Sequence, residues 1–203
     1  MADDLTHDDQ KLNEYLTHIR EQNNANLFDI LGFQKTGKGY RFDFFNRQIL
    51  FDHQDFIDLS GEELSLSVKI VLCKYMLNCP QPPLEKSVRL VTFREFSEAG
   101  PLFYRFAENT SKTIEQTFLN RVGDLEQKCR QLCGIPVSNA SYDLSIRFKA
   151  LPNIPIILQF NDVEGVFPAK AVFLFHEDAV NYLDLKSIGI IATYLTGHLI
   201  NVW

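Results

Sequence analysis

With 203 residues, 45% of them apolar and 23% charged, the chain has the composition of an ordinary globular protein and enough length to bury one sizeable core. Its 20 basic against 26 acidic residues leave a formal charge of -6, and no run of Lys or Arg occurs, which argues against a generic nucleic-acid binder and against an anionic membrane surface. No apolar stretch approaches the roughly 20 residues of a membrane span, and Met1-Ala2-Asp3-Asp4 lacks the basic start and apolar core of a signal peptide, so the expectation is a soluble, cytoplasmic protein.

Residues 1–11 are polar and acidic and read as a frayed terminus. Leu12, Leu16 and Ile19 then recur at helical spacing and predict a short amphipathic helix that stalls at Asn23-Asn24. Leu27 to Leu31 adds a further turn or two, with Gly32 placed as a C-terminal cap. Lys35-Thr36-Gly37-Lys38-Gly39 reads as a flexible loop; it lacks the first glycine of a phosphate-binding loop, and its Lys38 is followed by Gly. Tyr40 to Phe45 and Gln48 to Asp52 predict a hairpin turning at Asn46-Arg47. Ser60 followed by Glu63 has the form of a capping box before a helix whose buried stripe is Leu64, Val68, Leu72 and Tyr75; Asn78 and Pro80 end it.

Gln81-Pro82-Pro83 is a rigid connector, too short for a domain linker. Val88 to Phe96 predicts a strand. Lys112 to Cys133 predicts a long helix with Phe118, Val122, Leu125, Cys129 and Leu132 on one face, closed by Gly134 and Pro136. The last third is the clearest. Asp143 to Lys149 alternates, with Leu144, Ile146 and Phe148 on one side, as a half-buried strand does. Ile154 to Phe160 is apolar almost throughout and fits a central strand covered on both faces. After turn chemistry at Asn161 to Gly165, Ala171 to Phe175 returns as a third strand, and Asp184 caps a final helix carrying Ile188, Ile191, Leu195 and Leu199 inward. Adjacent strands mixed with helices predict one α+β domain over residues 1–203, with an antiparallel or mixed sheet of about six strands packed with helices.

Several of these segments also carry a family resemblance. Leu151-Pro152-Asn153-Ile154-Pro155-Ile156, Val166-Phe167-Pro168-Ala169-Lys170-Ala171, Leu174-Phe175 and Tyr182-Leu183 resemble the C-terminal signature of the family called domain of unknown function 3786. Val91 to Phe96 with Phe103-Tyr104 is similar to that family's middle segment, so the resemblance runs from about Tyr40 onward. It implies no reaction. It does imply an origin among anaerobic bacteria and archaea, and, through relatives fused to iron-sulfur or corrinoid domains, a link to anaerobic one-carbon metabolism.

The candidate chemistry is sparse. His176, with Asp178 close by at the end of a strand, is the candidate acid-base pair; the plainer reading makes Asp178 a turn cap and leaves His176 solvated. Arg94, extended by Tyr104 and Arg105, is the candidate anion clamp, against which stands an ordinary ion pair at a sheet edge. Cys129 and Cys133 lie one helical turn apart and could present two thiolates to a metal, but Cys129 falls within an apolar stripe. Cys73 and Cys79 complete a set with no zinc or ferredoxin spacing, and no catalytic or nucleotide-binding fingerprint occurs. Three expectations follow, with no cofactor assigned. The first is a non-catalytic binding or accessory protein for a protein partner or small ligand, with no nucleic acid and no membrane. The second is an enzyme for a small anionic substrate using Arg94, His176 and Asp178 on one concave surface. The third is a cofactor carrier with Cys129 and Cys133 exposed together.

Overall fold

The computed structural model describes residues 2–22, 25–81, 88–97 and 100–200. Helix α1 (Ala2–Gln22) and the short α2 (Ala25–Ile30) lead into strands β1 (Gln34–Thr36), β2 (Gly39–Phe44), β3 (Arg47–Phe51) and β4 (Phe56–Asp58). Helix α3 (Leu66–Leu77) and β5 (Leu90–Thr92) follow, then α4 (Pro101–Thr117) and α5 (Val122–Gln131). The chain finishes with β6 (Ile135–Pro136), β7 (Leu144–Leu151), β8 (Ile154–Asn161), β9 (Lys170–His176) and α6 (Leu185–Ile200). The α+β class read from the sequence holds. The described strands divide between two antiparallel sheets, ordered β1-β2-β3-β4 and β5-β9-β8-β7-β6, where one sheet was expected.

The C-terminal pattern produces the second sheet much as expected. Ile154, Ile156, Leu158 and Phe160 of β8 are wholly buried on one face, and Ile157 and Gln159 are buried on the other. Beside them Ile146 and Phe148 of β7 pair with Leu158 and Ile156, while Arg147 and Lys149 turn to solvent. Asp184 caps α6 as its position suggested: its Oδ1 accepts from the Ser187 N–H at 2.8 Å, and Oδ2 meets Lys74 Nζ of α3 at 2.5 Å. Gly32 takes the left-handed conformation (φ 76°) that ends α2.

Elsewhere the local reading is corrected. Helix α1 already includes the residues read as a frayed terminus from Ala2 onward. Lys35 to Gly39 is a tight hairpin tip rather than a flexible loop, closed by Thr36 Oγ1, which donates to Gly39 O and accepts from the Lys38 N–H. The next hairpin turns at Phe45-Asn46, one residue earlier than expected. Ser60 belongs to the turn after β4; the cap of α3 is Ser65, whose hydroxyl accepts from the Val68 N–H. Thr92 and Glu95 form a capping box of their own, so the strand expected to reach Phe96 stops at Thr92 and a 3-10 turn replaces it. The expected long helix is two, broken at 118–121, where Asn120 turns left-handed. Pro82 and Pro83 of the connector lie outside the described residues.

One apolar cluster runs through both sheets and the helices. The Phe45 N–H bonds Ala150 O across the two sheets at 3.0 Å. The buried Tyr75 hydroxyl of α3 donates to Leu31 O and accepts from the Asn153 N–H, tying the end of α2 to the β7–β8 turn. Gly134 marks a third close approach, between α5 and β7. A Cβ there would stand 2.5 Å from Ile146 Cγ2 and 2.8 Å from both Cys129 O and Phe148 Cε1. Gly134→Ala is therefore expected to lose about 1–3 kcal/mol, the usual cost of overpacking. Urea titration of the two proteins measures it, and an unchanged midpoint would refute the close packing.

Candidate functional site

A cleft of about 950 Å³ lies between α4 and β9, walled at one end by the loop that joins β8 to β9. Arg94 reaches it from the 3-10 turn after β5, which the Thr92–Glu95 box fixes through a 2.7 Å bond from the Thr92 N–H to Glu95 Oε2. Its guanidinium lies 3.6 Å from Glu108 Oε2 and 5.8 Å from the centre of the Tyr104 ring. Glu108 also meets Lys112 at 3.0 Å, and that contact, helped by Arg94, holds its carboxyl below the ordinary range. Glu115 accepts from the Ala171 N–H at 2.9 Å, sealing α4 onto β9. On the loop, Phe167 is 71% exposed and lines the cleft.

Of the residues expected to act together, the structure brings Arg94 to this cleft and sets Tyr104 against its guanidinium. Arg105 is exposed on α4 and does not line it. His176 pairs with Leu90 at the far end of β9 from Lys170, and Asp178 sits in the following 3-10 turn; neither lines the cleft. The short turn expected around Asp178 is present, with His176 in the N-cap position. The cysteines separate as well. Cys129 is 0% exposed on the inner side of α5, and burial pushes its thiol up to about 12, whereas Cys133 is exposed beyond the helix end. Among the described residues no three His, Cys, Asp or Glu side chains are placed to hold a metal ion.

A second cleft, of about 840 Å³, opens where the first sheet meets α6, and sequence reasoning missed it. Arg47, the first residue of β3, points its guanidinium between β4 and α6. Its Nε donates to Asp58 Oδ2, and Nη1 donates to the Tyr194 hydroxyl at 3.0 Å. Asp58 is 0% exposed in its side chain, and its other oxygen accepts from the Ser60 N–H at 2.7 Å. Burial alone would raise the Asp58 carboxyl, but the Ser60 and Arg47 hydrogen bonds outweigh it and hold the group below its ordinary value. Tyr194 stacks on Phe45 and tilts against His198, whose ring lies 4.2 Å away. Burial, then the Arg47 charge, lowers His198, so the imidazole is neutral at neutral pH; burial raises the Tyr194 hydroxyl, which stays protonated.

Arg47 Nη2 is buried without a hydrogen-bond acceptor; the carboxylate of Glu62 stands 3.4 Å away on a side chain 69% exposed. The helical spacing of Tyr194 and His198 is a sequence signal for this site; Arg47 was read as a turn residue, and Asp58 drew no reading.

Removing one partner of a buried ion pair strands the other, at a cost of about 3 kcal/mol for a site open on one side. Asp58→Asn is expected to lose about that much at neutral pH. Because the Asp58 carboxyl is lowered in the folded state, its contribution is complete above the ordinary value of 3.8 and disappears as the pH falls through the folded value. Acid unfolding checks the sign: the gap between wild type and variant should close below pH 3.8. Parallel curves would mean that the pair does not titrate as described.

No helix of the described residues is long and apolar enough to cross a membrane. In the comparison with known proteins, no curated protein and no solved structure matches the chain significantly. The family described as domain of unknown function 3786 matches residues 25–198, a span that takes in both sheets, both clefts, helices α2 to α5 and all but the end of α6. The chain belongs to that family.

Proposed function

We propose that the protein is a non-catalytic binding protein whose ligand is a small organic molecule held in the cleft between α4 and β9. The observation that carries this reading is the exposed Phe167 ring on the wall of a concave surface that Arg94 also lines. A large aromatic group left in water beside a cleft suits recognition of an apolar body, and a guanidinium suits orientation of a polar end. Cleft volume agrees, since small-molecule sites run to about 1,000 Å³. The enzymatic alternative requires Arg94, His176 and Asp178 around one substrate, and the last two stand away from this cleft. A cysteine-held cofactor draws no support from a pair of which one thiol is fully buried. A role in anaerobic metabolism rests on the family resemblance alone and is tested by co-purification from an anaerobic host.

Fragment screening by saturation-transfer NMR tests the cleft. Aromatic fragments carrying one polar group should bind the wild type, and Phe167→Ser and Arg94→Ala should each remove those signals. Both side chains are largely exposed, so the variants should keep their stability within about 0.5 kcal/mol. Hits that survive both substitutions, or a fragment set that yields none, would sink the assignment.

A further inference from the structure

We propose that the second cleft, beside Arg47, binds a small organic monocarboxylate whose two oxygens accept from Arg47 Nη2 and from the Tyr194 hydroxyl. The two clefts share no lining residue, so this site stands or falls independently of the one between α4 and β9.

Donor arithmetic leads to the ligand. A guanidinium offers five N–H groups; here Nε serves Asp58 and Nη1 serves Tyr194, while the buried Nη2 serves no acceptor. A buried charged donor left without an acceptor is rare in folded proteins and calls for an occupant. Tyr194 Oη accepts from Nη1, so its own proton is directed elsewhere. The hydroxyl lies 3.0 Å from Nη1, the twin of Nη2 on the same guanidinium, so Nη2 and the hydroxyl offer two donors to the two oxygens of one carboxylate.

The charge of the ligand follows from Glu62. A carboxylate of the chain already stands near Nη2, but at 3.4 Å it forms an ion pair without a hydrogen bond, on a side chain free to swing into solvent. An incoming carboxylate replaces it one charge for one. A dianion would instead add negative charge beside the buried Asp58, so a monoanion is favoured. The remainder of the cleft describes the body of the ligand. Leu59, the neutral His198 ring and the open space over Gly197, where an added Cβ meets nothing within 4 Å, leave room for an uncharged body, a single ring among others.

Replacing Arg47 would strand Asp58 and endanger the fold, so the test leaves Arg47 in place. Sodium benzoate is titrated into the 15N-labelled full chain, with benzamide as the uncharged analogue, and the Gly197, His198 and Arg47 side-chain resonances are followed. Benzoate should give saturable shifts at these residues and benzamide none. Gly197→Leu, which grows into the open space, should abolish the shifts while the rest of the spectrum is unchanged. Glu62→Gln should tighten benzoate about two- to fivefold, the size of an exposed ion pair. Absence of saturation, equal response to benzamide, survival of binding in Gly197→Leu, or weaker binding in Glu62→Gln would each overturn the assignment. Tighter binding of N-acetyl-alanyl-alanine than of benzoate would overturn the free acid in favour of a polypeptide C-terminus.

Discussion

The seam between the four-stranded sheet and α6 depends on one buried guanidinium. Arg47 leaves the start of β3, neutralises Asp58 at the end of the neighbouring β4 and meets Tyr194 on α6, so a hairpin and a helix distant in the chain share one polar centre. Such a pair adds little net stability compared with an apolar filling, because desolvation offsets most of the attraction. Its influence is geometric. With Asp58 unable to ionise safely without Arg47, and Arg47 unable to leave Asp58, the rotation of α6 is fixed wherever the Tyr194 hydroxyl can reach the guanidinium.

The aromatic residues around that centre explain a local strain. Phe45 occupies the two-residue turn between β2 and β3 with φ 53°, a conformation that costs a residue other than glycine roughly 1–2 kcal/mol. Glycine or asparagine would be easier there. In return, the Phe45 ring stacks on Tyr194 at 5.4 Å and 21°, and its N–H reaches Ala150 O on the second sheet. An aromatic pair contributes about 0.5–1.5 kcal/mol beyond its buried area, enough with the hydrogen bond to offset the strain. Tyr75 works in the same manner on another side of the core. Its hydroxyl is accepted among apolar neighbours because both a carbonyl and an N–H from separate elements satisfy it.

What was legible in the sequence, and what was not, divides by the range of the interaction. The period of two in β7, the continuous apolar run of β8 and the Asp184 cap of α6 are written within a few residues, and each formed where it was read. The break between α4 and α5 was hidden by arithmetic: Ile114, Phe118 and Leu125, before, at and after it, are spaced as an unbroken helix also allows. Ser60 was a false cap because Asp58, two residues earlier, captured its N–H for a turn. Leu90 to Thr92 was read as part of a longer strand because the apolar run outweighed the Thr92-x-x-Glu95 spacing, which has the same capping-box form as Ser60 and Glu63. The division into two sheets was illegible for a further reason: strand pairing across long separations leaves no local pattern.

The same division governs the sites. Arg94 was found because it interrupts an apolar segment, and the structure does place it on a cleft. Arg47 lay in what looked like turn chemistry, and its hydrogen-bond partner Tyr194 is 147 positions away. Only the meeting of the two gives either a functional meaning. Among the described residues several other cations also pair with a carboxylate, and most of those pairs are exposed and weak. Arg47 differs in being desolvated with one nitrogen unserved, while the nearest remaining carboxylate, Glu62, is held in water by its own exposure. Moving Glu62 inward to complete the bond would desolvate a second carboxylate beside Asp58. The arrangement thus leaves a buried donor without an acceptor on a residue that lines a cleft, a condition that neither the turn nor the helix creates alone.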